Sequence, residues 1–146
     1  MTIESDAGLK EIFETCRTIA VVGCSPKPER AGNYVARYWQ QLGYRVIPVN
    51  PGHSELVNER CYASLRDIPE KVDLVDCFRR SEDISSIVED AIAIGAKVIW
   101  MQLGIINEEA AQRAEAAGLK VVMDRCPKID YPRLFSKPMF PDSGAK

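Results

Sequence analysis

Five short apolar runs recur along this chain, at 19–22, 44–49, 72–78, 97–101 and 120–123, with stretches of helical spacing between most of them. Runs that are apolar nearly throughout, rather than at alternate positions, suit strands covered on both faces, and a strand-helix-strand succession brings such strands together in parallel. The pattern predicts a three-layer α/β fold around a parallel sheet of about five strands. At 146 residues and 46% hydrophobic content the chain has the length of one domain and enough apolar side chains to fill its core, so residues 1–146 are expected to form a single domain.

Between the runs, Leu9, Ile12 and Phe13 carry a leading helix over 6–16, and Tyr34, Val35, Tyr38, Trp39 and Leu42 carry one from about Asn33 to the stop at Gly43. The stretch 55–61 reads as a brief strand or an irregular excursion. Ser64 is placed to cap a short helix closed by Pro69. Ser81-Glu82-Asp83 opens a helix that would bury Ile84, Ile87, Val88, Ala91 and Ile92, and Asn107 caps another that ends near Gly118. The prolines from Pro127 onward predict a tail that wraps the surface or frays at its end.

A formal net charge of -2 argues against a general nucleic-acid surface, which would need a basic excess. No run approaches the length of a membrane span, and the first residues lack the basic and apolar regions of a signal peptide, so a cytoplasmic protein with no membrane partner is expected. The five cysteines, Cys16, Cys24, Cys61, Cys77 and Cys126, are scattered without a CxxC pair, and His53 is the only histidine. Reduced thiols are expected, with neither a disulfide framework nor a metal cluster.

In an open parallel sheet a ligand site lies beyond the carboxyl ends of the strands. After the first run the chain turns through Gly23-Cys24-Ser25-Pro26-Lys27-Pro28-Glu29-Arg30 and enters a helix. Glycine lets the backbone approach a ligand, Ser25 offers a hydroxyl, and the helix start offers unpaired amides and a positive dipole end. Lys27, Arg30, Arg79 and Arg80 stand at strand ends and suit a ligand with several phosphates. The G-x-G-x-x-G fingerprint fails at its second glycine, where Ser25 stands, and the second run ends in Val49-Asn50 without the acid that would hold a ribose. NAD is therefore disfavoured, while an NADP-linked oxidoreductase remains as an alternative. Asn50 can meet an adenine or ribose edge or simply close a turn, and Gln102-Leu103-Gly104 can bring a backbone amide to a ligand or serve as a plain turn. Asp124 is assigned a structural role. No catalytic residue is assigned: His53 has no nucleophile elbow to serve, and Cys24, the thiol nearest a helix start, reads better as a spectator.

Five ordered motifs carry a resemblance. Val22-Gly23-Cys24-Ser25-Pro26-Lys27, Pro48-Val49-Asn50-Pro51, Cys77-Phe78-Arg79, Met101-Gln102-Leu103-Gly104 and Asp124-Arg125-Cys126-Pro127-Lys128 resemble the small stand-alone CoA-binding proteins, over residues 18–134. That family is similar to the CoA-binding domain of the succinyl-CoA synthetase alpha subunit, a Rossmann-like domain. The resemblance implies that coenzyme A or an acyl-CoA is the ligand. Gly23, Cys24 and Ser25 with Lys27 and Arg30 would meet its phosphates, Val49, Asn50 and Pro51 would border its adenosine, Phe78 and Arg79 would line the next section, and Gln102, Leu103 and Gly104 the more distal part. It does not imply ligase chemistry, because the synthetase's second domain and phosphorylated histidine have no counterpart here. A third reading is a CoA-responsive redox or interaction module in which Cys24 or Cys126 forms a mixed disulfide with CoA. The chain is expected as a monomer or homodimer, with Tyr34, Trp39 and Phe135 as interface candidates and an unidentified protein partner left open.

Overall fold

The computed structural model describes residues 1–141, and within it the apolar runs become strands. The strands are β1 (Thr18–Val22), β2 (Arg45–Val49), β3 (Glu55–Leu56), β4 (Glu59–Arg60), β5 (Leu74–Cys77), β6 (Val98–Met101) and β7 (Lys120–Val122). Five of them form one parallel sheet in the order β2-β1-β5-β6-β7, as expected, while β3 and β4 pair as a small antiparallel hairpin. The hairpin turns through Val57 and Asn58, both at positive φ, so 55–61 is the brief strand excursion of the two alternatives.

The helices are α1 (Asp6–Thr15), α2 (Ala31–Gln41), α3 (Ile84–Ala93), α4 (Glu108–Ala116) and α5 (Pro127–Leu134). Successive strand residues point to opposite faces, and the core divides accordingly. Ile19 and Val21 of β1 and Trp100 of β6 pack with Phe13, Trp39 and Tyr131 from α1, α2 and α5. Ala20, Val22, Ile99 and Met101 pack with Ile84, Val88, Ala111 and Ala114 from α3 and α4. The result is the three-layer α/β arrangement of a Rossmann-like fold.

The helix ends follow their caps. Asn107 Oδ1 accepts from the Ala110 amide at 2.9 Å, with Glu108 and Glu109 in the positive first turn. Ser64 caps only a 3-10 turn at Leu65–Asp67, shorter than the helix expected, because Ile68 precedes Pro69 and is held extended at φ -72 and ψ 122.

The tail departs most from expectation. Residues 127–134 form α5 instead of a surface wrap, and the prolines account for both its ends. Pro127 occupies the first helical position, where no amide is needed, and Pro132 withdraws the donor that Lys128 would use, so the helix stops at Leu134. Burial of Tyr131 overrides that local cost: its ring meets Phe13 edge-on at 5.1 Å and its hydroxyl donates to the Lys137 carbonyl at 2.6 Å. From Phe135 the chain does run along the surface, as far as a Phe140 amide bond to the Leu42 carbonyl at 2.9 Å. The end expected to fray lies outside the described residues. Of the aromatic residues offered for an interface, Trp39 is fully buried beside Tyr44 and Phe135 stacks on Tyr131, which leaves Tyr34 as the exposed one.

Candidate functional site

β1 and β5 are neighbours, yet the chain leaves β1 toward β2 on one side and continues from β5 toward β6 on the other. The connections therefore part above the carboxyl ends of β1 and β5, and a crevice opens there. Gly23 sits at this point with φ +87, and a Cβ built on it would lie 2.9 Å from the Phe78 carbonyl oxygen. Only glycine allows both the conformation and the contact.

Gly32 makes a second close approach. It lies in the first turn of α2, and a Cβ there would fall 2.6 Å from the Gly23 carbonyl oxygen and 3.5 Å from Cys24 Cα. The missing side chain is what lets α2 dock directly on the loop that leaves β1. The sequence signal for Gly32 is a second glycine just inside the helix that follows a glycine turn, the place where tight helix-strand packing is set.

Two asparagines brace the loop. Asn50 Nδ2 donates to the Cys24 carbonyl at 2.7 Å, and Asn33 Nδ2 donates to the Ser25 carbonyl at 2.8 Å. Asn33 in turn accepts from Arg37 Nε at 2.7 Å. Ser25 Oγ accepts from the Lys27 amide at 3.1 Å, tightening the turn. With the carbonyls of Cys24 and Ser25 tied down, the opening of α2 stays free: Arg30 supplies no side-chain cap, and the amides of Ala31 and Gly32 have no acceptor among the described residues. Lys27 and Arg30 are exposed on the same loop. Preorganised amides, a dipole end and mobile positive charge make an anion site.

Two clefts flank the junction. One of about 410 Å³ is lined by Val22, Val49, Pro51, Ser64 and Arg79, among others, on the α3 side. The other, about 600 Å³, lies between α2 and α5 and is lined by Ala31, Tyr34, Phe78, Gln102, Leu103 and Cys126, with Lys128 at its edge. Phe78 lines the larger cleft and the next residue, Arg79, the smaller. A third space of about 390 Å³, around Cys16, Gly95, Lys97 and Gly118, is at the opposite end of the sheet and far from this loop.

The structure thus brings together Gly23, Cys24, Ser25, Lys27 and Arg30 on one loop, Val49, Asn50 and Pro51 beside it, Phe78 and Arg79 across from it, and Leu103 at the far cleft. Residues 102–104 form a turn in which the Ile105 amide donates to the Gln102 carbonyl at 2.9 Å. The Gly104 amide donates to Asp124 Oδ1 at 2.7 Å, so that pair clasps two strand-end loops, with Asp124 at φ 60. Gln102 reaches the cleft but turns its amide inward to Asp76.

Asp76 was not singled out by sequence because it lies within an apolar run. It is wholly buried on β5, accepts from Trp39 Nε1 at 2.9 Å, and is pushed up to a pKa of about 8 by burial, against the stabilising Trp39 bond. Gln102 matches either protonation state: its nitrogen, turned to the carboxylate, stands 2.7 Å from Oδ1 and 3.1 Å from Oδ2, and its oxygen in the same place accepts from the protonated acid. This network props the floor of the larger cleft.

The thiols sort by burial. Cys24 is fully buried and pushed up to about 12, chiefly by desolvation and then by Cys61, which disfavours the reactive thiolate. Burial also pushes Cys77 up, while Cys126 is half-buried and lines the larger cleft. No group of three or more His, Cys, Asp or Glu side chains that could hold a metal occurs among the described residues.

A parallel sheet with an open helix start at its switch point and a cleft on either side defines a Rossmann-like ligand-binding domain. The CoA binding domain family matches residues 17–132, and the chain belongs to that family. It is 40% identical to the YneT protein of Bacillus subtilis over 127 residues, 87% of this chain and 94% of that one. A solved structure of a hypothetical protein from Pyrococcus horikoshii superposes with a TM-score of 0.87 at 42% identity, covering 92% of this chain and 96% of the other. The ADP-forming acetate–CoA ligase I of Archaeoglobus fulgidus is 28% identical over 120 residues, 75% of this chain but only 18% of the ligase. The kinship is thus to small CoA-binding domains and to one segment of ADP-forming ligases.

Proposed function

We propose that this protein binds coenzyme A or an acyl-CoA across the carboxyl ends of its strands and acts in the cytoplasm as a one-domain binding protein without turnover of its own. The observation that carries the reading is the glycine-built junction of β1, β5 and α2, which sets an open anion site between two clefts. A ligand with phosphates at its middle and unlike arms on either side fits such a site. The pyrophosphate takes the unpaired amides at the start of α2, beside the Cys24–Ser25 turn, with Lys27 and Arg30 closing over it, while the Gly23 amide stays bonded to the Val49 carbonyl at 2.9 Å. The adenosine lies toward Val49, Asn50, Pro51 and Arg79, and the pantetheine arm passes Phe78 toward Gln102 and Leu103. The likeness to the succinyl-CoA synthetase alpha subunit belongs to this reading. What supports it is the coarser kinship to a segment of ADP-forming acetate–CoA ligases.

Changing Lys27 and Arg30 together to alanine is expected to weaken CoA binding about tenfold or more, through loss of two charge-assisted contacts. Both side chains are exposed, so thermal unfolding of the unliganded protein stays unchanged. Calorimetric titration checks this, and an unaltered affinity would remove both residues from the site.

A second reading, a CoA-responsive redox module, is favoured by Cys126 alone, whose thiol lines the cleft assigned to the pantetheine arm. The buried Cys24 argues against its own version of that role.

A further inference from the structure

Among the described residues five large apolar side chains are exposed, and three of them, Tyr34, Leu103 and Ile129, line one cleft. It is the cleft of about 600 Å³, and Ile105 lines it too. Leu103 is 60% and Ile129 57% exposed. Single exposed apolar residues need no explanation, but a contiguous patch around a concave opening marks a binding surface. The volume lies within the ordinary range of small-molecule pockets, roughly 300–1,000 Å³.

The surroundings choose the occupant. The cleft begins at Ala31, the first residue of α2, where the amides of the anion site stand unpaired. Phosphate binding and apolar burial are therefore adjacent, and a ligand that uses both must be amphiphilic along its length. A bare nucleotide leaves the apolar walls wet. Free CoA reaches into the cleft with its pantetheine arm and leaves the exposed apolar side chains of Leu103 and Ile129 wet.

We propose that the outer part of this cleft, beyond the pantetheine arm, takes the hydrocarbon chain of a CoA thioester, so that the preferred ligand is an acyl-CoA with a medium-length apolar acyl group, and free CoA binds more weakly. The inference rests on the CoA reading above. Tyr34 from α2 and Ile129 from α5 line its two sides, Leu103 and Ile105 lie just beyond the end of β6, and Phe78 lines it next to Arg79, which lines the adenosine side. Each methylene taken fully out of water is worth roughly fourfold in affinity.

Calorimetry with CoA, acetyl-CoA and hexanoyl-CoA at one salt concentration tests it, on the unmodified protein and on Ile129→Ser. Hexanoyl-CoA is expected to bind more than about tenfold tighter than acetyl-CoA, with a more negative heat-capacity change. Ile129→Ser, a change on an exposed helical face, is expected to reduce that ratio severalfold. Binding of all three ligands with equal affinity would overturn the acyl-chain inference and leave CoA binding standing. Failure of all three to bind would overturn the CoA reading itself.

Discussion

Replacing Gly32 with alanine is expected to destabilise the protein by about 1–3 kcal/mol and to abolish tight ligand binding. Glycine-to-alanine changes in helices ordinarily stabilise, by up to about 1 kcal/mol, so the sign itself is informative. The reversal follows from the contact: the new methyl would stand 2.6 Å from the Gly23 carbonyl oxygen and 3.5 Å from Cys24 Cα, both parts of a backbone held by the sheet. Relief requires α2 to move off the loop, and that movement separates the helix amides from Gly23–Ser25. Gly8→Ala is the matching control. Its methyl would also come within 2.6 Å of an atom, but that atom is Ile3 Cγ2, the end of a side chain able to turn away. Urea unfolding of both variants, followed by ligand titration, checks the contrast. A Gly32→Ala protein as stable as its parent and binding as well would refute the tight junction.

The second large effect concerns Asp76. Its ordinary value is 3.8, and burial holds it at about 8 in the folded protein. Between those limits the folded chain keeps a proton that the unfolded chain has released. Stability from this group is therefore complete below the lower limit and is lost as pH rises through the upper one, with a slope approaching about 1.4 kcal/mol per pH unit. Asp76→Asn has the shape of the neutral acid, keeps an oxygen for Trp39 Nε1 and gives a nitrogen to the Gln102 oxygen. It is expected to flatten the pH dependence and to exceed the parent in stability on the alkaline side. Asp76→Ala instead strands the Trp39 donor and the Gln102 amide and opens a void, at a cost of about 2–4 kcal/mol. Denaturant unfolding across pH measures both. A parent profile rising with pH over this range, or an asparagine variant as damaged as the alanine one, would show that Asp76 is held as a charged carboxylate.

The sheet was legible because its strands are buried on both faces and therefore apolar throughout, and the starts of α4 and of the 3-10 turn at Leu65–Asp67 were legible because Asn107 and Ser64 cap them by their own chemistry. α5 was not legible, since its support is the burial of Tyr131 against Phe13, residues more than a hundred positions apart in the chain. Of the candidate site, Gly23, Ser25, Lys27 and Asn50 could be named from their place after apolar runs. The roles of Gly32 and Asp76 depend on distances between elements, as does the bond of the Gly104 amide to Asp124, and composition and spacing carry no record of these. Gln102 shows the same limit: it stands at a strand end as expected, yet its amide serves a buried acid.

Calorimetric titration of the intact protein with CoA, dephospho-CoA and NADP at one salt concentration tests the central claim most directly. The account predicts saturable one-to-one binding of CoA, weaker binding of dephospho-CoA because a phosphate is missing, and no comparable binding of NADP. Tight binding of NADP with none of CoA would contradict it and return the site to nicotinamide chemistry.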